Sequence, residues 1–131
     1  MESFKVYCAV GAGSALGGMG RLWLSNFMAR RFGDTFPWGT LLVNASGSLL
    51  IGLIFALTGP GGRWAISPRL SLFLMSGLCG GYTTFSAFSL QTLNLARQGD
   101  WWQAAANVAL SLVLCIGGVV LGYFLGLFAN R

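Results

Sequence analysis

Between Gly39 and Thr58, between Leu70 and Ala96, and between Trp101 and Ala129 the chain carries no Asp, Glu, Lys or Arg. A helix of about 20 apolar residues spans the hydrocarbon of a bilayer, and stretches this long admit few other fates. A fourth stretch, from about Val6 to Ala29, is interrupted only by Arg21. Lipid offers no partner for a free backbone N–H or C=O, so the segments are expected to be helices. The sequence is therefore read as a single all-α membrane domain over residues 1–131, with four transmembrane helices at about 6–29, 39–58, 70–96 and 101–129. Composition agrees: 8% of the residues are charged, against about 25% in a soluble domain, which is too few for a polar shell.

The connections are short and carry breakers. Gly33, Asp34 and Pro37 separate the first two segments, Gly59-Pro60-Gly61-Gly62 ends the second, and Pro68 opens the third. No loop is large enough for a soluble domain, so function is expected within the membrane. The N-terminal apolar stretch lacks a polar region with a small-residue cleavage site, and no cleavable signal peptide is expected. Lys5, Arg63, Arg69 and Arg131 fall at the end that holds the termini, and Arg30, Arg31 and Arg97 at the other. Four against three gives the positive-inside rule almost no direction. A chain so balanced can insert both ways, and two opposite copies can pair about an axis in the membrane plane as an antiparallel, dual-topology homodimer.

Several chemistries are excluded by what is missing. There is no histidine, and the acidic residues, Glu2, Asp34 and Asp100, all lie outside the apolar segments. That removes most metal sites, paired-carboxylate catalysis and proton carriage by a carboxylate at membrane depth. The net charge of +5 is spread too thinly for a nucleic-acid stripe, and no nucleic acid is expected as a partner. Cys8, Cys79 and Cys115 show no disulfide or redox spacing and read as small packing residues.

The third segment is unusual. Gly77-Leu78-Cys79-Gly80-Gly81-Tyr82-Thr83-Thr84-Phe85-Ser86-Ala87-Phe88-Ser89 joins three glycines to hydroxyl and β-branched residues, a poor helix. It reads either as a kinked, tightly packed helix or as one broken near its middle, whose freed carbonyls face an ion. Gly11 to Gly17 superficially resembles a dinucleotide loop but lacks the strand and acidic residue such a loop needs, and close helix packing is expected. Gly118, Gly122 and Gly126 have the same default.

Polar residues inside the segments form stripes. Thr40, Asn44 and Ser48 share one helix face, as do Asn107, Ser111 and Cys115. An amide or hydroxyl can donate to a small anion that must shed its water. Equally, it can hydrogen-bond a neighbouring helix, worth about 0.6–2 kcal/mol. Arg21 is a guanidinium in an apolar segment, costly unless it serves an anion pathway, joins a buried pair or snorkels to the interface. Phe85 and Phe88 lie on one face; such rings usually pack, although an aromatic edge is electropositive and can meet an anion.

Taken together, Gly20-Arg21, the run from Trp38 to Asn44 and above all the run from Gly77 to Ser89 resemble the Fluc family of bacterial fluoride channels, over nearly the whole chain. The resemblance implies an antiparallel homodimer in the bacterial inner membrane with two pores that let fluoride leave the cytoplasm passively, reducing its toxicity. It implies that the ring edges of Phe85 and Phe88 line each pore, with Asn44 donating nearby; the polar stripes add Thr40, Ser111 and Asn107 to the expected pathway, and the charge in the first segment adds Arg21. It also implies a structural Na⁺ at the dimer centre, held by main-chain carbonyls of Gly80 and Thr83. Some members carry Tyr where this chain has Asn107, and Ser or Thr where it has Cys115. Rival readings are a proton-coupled exporter of cationic drugs, which needs the missing intramembrane carboxylate, and a non-transporting subunit of a larger membrane complex. An enzyme is not expected, since no nucleophile–base pair or metal-ligand set is present.

Overall fold

The computed structural model describes residues 2–131, which are helical throughout apart from their connections. Helix α1 spans Glu2–Phe32 and α2 spans Trp38–Thr58. The next segment starts as α-helix at Pro68–Leu72, widens into a π-helical turn at Phe73–Cys79 and returns to α-helix at Gly80–Tyr82; these three pieces are together called α3. Thr83 and Thr84 are extended, and helix α4 then covers Phe85–Arg97. Helix α5 spans Trp101–Ala129. The outer ends of α1 and α3 lie beyond the apolar runs because polar residues at an interface can complete a helix that apolar periodicity does not mark.

Local chemistry sets the ends. Gly33 (φ +79°) takes the left-handed conformation behind α1 and donates to the Ala29 carbonyl at 2.8 Å, while Arg30 and Arg31 occupy the last turn where the helix dipole favours cations. Ser67 caps α3 by accepting from the Leu70 N–H at 3.2 Å, with Pro68 behind it. Gly99 (φ +88°) turns the chain from α4 into α5.

The helices associate in two parallel pairs, α1 with α3 and α2 with α5, and glycine permits both. A Cβ on Gly13 would sit 2.6 Å from the Phe73 carbonyl oxygen, and one on Gly81 would sit 2.5 Å from that of Ser14. Gly17 lies tighter still against the Leu78 carbonyl. Across the other pair, Gly118 and Gly122 lie against the Ala45 and Leu49 carbonyls, and Gly52 against that of Val119. In lipid there is no hydrophobic drive between helices, so dispersion from such close backbone approach has to hold them together.

Large apolar side chains cover the outside, and polar ones are buried beside Leu41, Val43, Leu57 and Leu95. Trp102, Phe85 and Tyr7 are 82%, 77% and 74% exposed, whereas Thr40, Asn44, Thr84, Asn107 and Ser111 are buried. Helices α2 and α5 are long and apolar enough to cross a bilayer by length and composition. Trp38, Trp101 and Trp102 cluster at one end and Trp64 lies at the other, the placement of interfacial aromatic anchors. An exterior of this kind is unsustainable in water and describes a membrane protein. The end with the termini is tied together: the Asn130 amide donates to the Ala56 carbonyl at 2.8 Å and accepts from the Arg63 N–H at 3.0 Å.

Because Gly122 has no room for a Cβ whereas Gly117 faces open space, Gly122→Val is expected to cost about 1–3 kcal/mol of stability and Gly117→Ala almost nothing. Unfolding in mild detergent, followed by helical circular dichroism against added SDS, measures both.

Candidate ion pathway

The site is built around Thr83 and Thr84, where the backbone leaves the helix. A break inside an apolar bundle exposes the last carbonyls of one helix and the first N–H groups of the next, and each needs a partner. Asn44 supplies two at once. Its Nδ2 donates to the Thr84 carbonyl at 2.9 Å, and its Oδ1 accepts from the Thr84 N–H at 2.7 Å. The Thr84 hydroxyl then caps α4 by accepting from the Ala87 N–H at 3.2 Å, and it meets the Ser86 hydroxyl at 3.2 Å. On the upstream side the Thr83 N–H and hydroxyl both donate to the Cys79 carbonyl, at 2.9 and 3.0 Å. The Tyr82 hydroxyl lies 3.0 Å from that of Ser46, which itself donates to the Leu42 carbonyl at 2.7 Å. Helix α2 thus holds both sides of the break.

A cavity of about 310 Å³ opens beside it, lined by Asn44, Gly47, Ser48, Ile51, Cys79, Gly80, Thr83, Thr84, Phe85, Phe88, Ser111, Leu112, Cys115 and Ile116. Six of the positions singled out from the sequence, Asn44, Phe85, Phe88, Ser111, Gly80 and Thr83, therefore meet in one place, drawn from α2, α3, α4 and α5. The Phe85 and Phe88 rings are 5.2 Å apart between centroids and tilted by 52°. Thr40, one turn from Asn44, lines instead a second and more polar cavity of about 490 Å³ among Asn26, Asp34, Gln91, Asn94, Gln98 and Gln103. The Gln91 Oε1 is buried without a hydrogen-bond partner. Arg21 lines neither cavity and lies half-buried on α1. Asn107 also lines neither; its Nδ2 donates to the Thr92 hydroxyl at 2.9 Å.

Chemically the smaller cavity offers donors and weakly positive edges. Nδ2 of Asn44 carries two hydrogens and Thr84 takes one, so the second remains for the cavity. Ser48, Ser111 and Cys115 add hydroxyl and thiol donors. Oxygen donors for a hard cation are also present. The Thr84 N–H, which a continuing helix would direct to the Gly80 carbonyl, goes to Asn44, and Gly80 is exposed at the cavity. A freed main-chain oxygen with no competing carboxylate suits Na⁺. Among the described residues no group of His, Cys, Asp and Glu is placed to hold a metal.

The sequence assigns no individual role to Thr84, Tyr82, Ser46 or Thr92. Thr84 did leave a signal, a Thr just ahead of a helical run, the usual place of an N-cap. The other three are hydroxyl residues within helices, whose bonding depends on which helix lies opposite.

The architecture is that of a small all-helical membrane protein with a hydroxyl-, amide- and phenyl-lined cavity inside the bundle. Residues 8–123 match the family described as CrcB-like protein, Camphor Resistance (CrcB), and the chain belongs to that family. It is 51% identical to the fluoride-specific ion channel FluC of Methylocella silvestris, with 95% of each chain covered. It is 53% identical to the protein of the same name from Rhodospirillum rubrum, over 95% of this chain and 97% of that one. With the one from Opitutus terrae it shares 50% identity over 96% of both.

Asn44→Ala strips both partners from Thr84 and is expected to lower stability by about 2–4 kcal/mol, with faster amide exchange at Thr84. Asn44→Asp keeps the acceptor and sets a carboxylate oxygen against the Thr84 carbonyl. It should be no more stable than the alanine variant in the same hydrogen-exchange and unfolding experiments.

Proposed function

We propose that this chain forms a fluoride-selective passive channel that lets fluoride leave the cytoplasm. The carrying observation is the convergence of Asn44, Phe85, Phe88 and Ser111 on one cavity, in a chain about half identical over nearly its full length to proteins named fluoride-specific ion channels. Fluoride is small and strongly hydrated, so each contact it loses needs a replacement. The spare Asn44 N–H, the Ser111 hydroxyl and the ring edges of Phe85 and Phe88 supply donors and positive edges, and no charged side chain lines the cavity to trap the ion. Hydrogen fluoride enters cells as a neutral weak acid and ionises at cytoplasmic pH. The anion then leaves down its electrochemical gradient, driven by the negative interior. Neither a nucleotide nor a proton-carrying carboxylate is required, and the protein is not an enzyme.

The assembly we infer is an antiparallel, dual-topology homodimer, multi-pass in the bacterial inner membrane. Its support is physical. Gly80 is exposed beside the break in the single chain, although lipid tolerates neither an uncovered break nor free carbonyls, and the Phe85 ring of the same cavity is exposed with it. A second copy about a two-fold axis would cover both, and the near-equal basic counts at the two ends leave insertion free to go either way. The helix break then lies at membrane depth, where the Gly80 and Thr83 carbonyls of two subunits would hold a structural Na⁺. Bound there, the cation would lend positive potential to the adjoining anion pathways. Thr40 and its polar cavity continue the route toward one face, with Arg21 at a distance as a background positive charge.

Purified protein in KF-loaded liposomes, with a fluoride electrode following efflux after valinomycin, tests the function. Rapid fluoride release is expected, with none of chloride from KCl-loaded vesicles. Phe85→Ile and Phe88→Ile should each slow fluoride release by tenfold or more, on the order of the 1.4 kcal/mol that one such contact supplies. Well-folded protein that releases no fluoride sinks the channel reading.

A further inference from the structure

Asn107 is the most deeply buried polar side chain on α5, at 1% exposure, and it does not reach either cavity. Ser111, one turn further along the same face, does. The Asn107 amide is committed elsewhere: Nδ2 donates to the Thr92 hydroxyl at 2.9 Å, and that hydroxyl donates its single hydrogen to the Phe88 carbonyl at 2.8 Å. The chain of donors has one sense. Because the Thr92 hydrogen goes to Phe88, only a donor fits at the Thr92 oxygen, which agrees with the Asn107 Nδ2 facing it.

We infer that Asn107 and Thr92 form a latch that fixes the rotation of α4 about its axis, and with it the place of Phe88 in the pathway. Asn107 is thus a positioning residue that acts on the ion through Thr92 and Phe88 without touching it. The inference rests on the channel reading above. Helix α4 is short, 13 residues, and carries both phenyl rings of the cavity. Asn44 and the Thr84 cap hold the start of the helix, at Thr84 and Ala87, and neither of these bonds reaches the helix beyond Phe88. The latch grips at Thr92, one turn below Phe88, and joins it to a fully buried residue of α5. Rotation by a single residue, about 100°, would carry the Phe88 ring out of the cavity. Unlike a donor to the ion, which works alone, a latch needs both of its halves.

That difference can be measured in the reconstituted protein by a double-variant cycle of Thr92→Val and Asn107→Leu. Size exclusion first confirms assembly, and Thr92→Ala is the second variant should Thr92→Val not assemble. Each single variant is expected to slow fluoride release about tenfold, the loss of one buried hydrogen bond, and to raise chloride leakage. The double variant should be no worse than the worse single. Thr92→Ser, which keeps the hydroxyl, should restore both rate and selectivity. Losses that multiply in the double variant would overturn the latch, since Asn107 would then act independently of Thr92. So would a Thr92→Val protein with unchanged rate and selectivity. A wild type that releases no fluoride refutes the channel reading itself, whereas a conducting wild type with multiplicative variants refutes the latch alone.

Discussion

Asn44 closes the hydrogen-bond account of Thr84 on both sides, and much of the remaining architecture presupposes it. In water, two extended residues between helices would cost little, since solvent would complete them. Inside an apolar bundle each orphaned backbone group costs on the order of 1–3 kcal/mol, and the cheapest remedy is to rewind the helix. A primary amide can answer an N–H and a C=O on one residue together, much as a neighbouring strand would. Holding Thr84 open in this way frees the Gly80 carbonyl, starts α4 afresh at Phe85 and places the two phenyl rings beside Ser111.

That arrangement works only because the frame around it is tight. Asn44 belongs to α2, which is fixed to α5 through Gly52, Gly118 and Gly122, while α3 is fixed to α1 through Gly13, Gly17 and Gly81. Backbone laid directly on backbone leaves little freedom to slide, so a hydrogen bond of 2.7–2.9 Å between α2 and the break can be maintained without long side chains. Many large apolar side chains, meanwhile, are turned outward, while Leu41, Val43, Leu57 and Leu95 fill the core beside the glycine contacts.

The all-helical class was legible because three long stretches without charge leave lipid as the only tolerable surroundings. The glycine spacings foretold close packing, and Gly118, Gly122 and Gly126 do lie against α2. The grouping of Asn44, Ser111, Phe85 and Phe88 was readable only in part. Spacing puts residues on one face of their own helix but does not say which helix lies opposite. For the same reason an amide such as Asn44 or Asn107 could be read with equal justice as a donor to an ion or as glue between helices. The structure shows Asn44 bonded to Thr84 and still bordering the cavity, and Asn107 bonded to Thr92 outside it. Thr40 and Arg21 also lie apart from the Phe85–Phe88 cavity. Such outcomes depend on tertiary partners, which neither periodicity nor composition records.

The π-helical turn at Phe73–Cys79 has its own consequence. Bonds from i to i+5 make a wider loop than those of an α-helix, so the segment winds through less angle for each residue it spends. Were Phe73–Cys79 wound as ordinary α-helix, Gly81, Tyr82 and the two threonines would all be turned about the axis by a fraction of a revolution. Ser14 and Asn44 would then face different neighbours. The segment between Pro68 and Thr84 is therefore tuned in phase as well as in length, and a loss or gain of one residue there would act like a turn of a key.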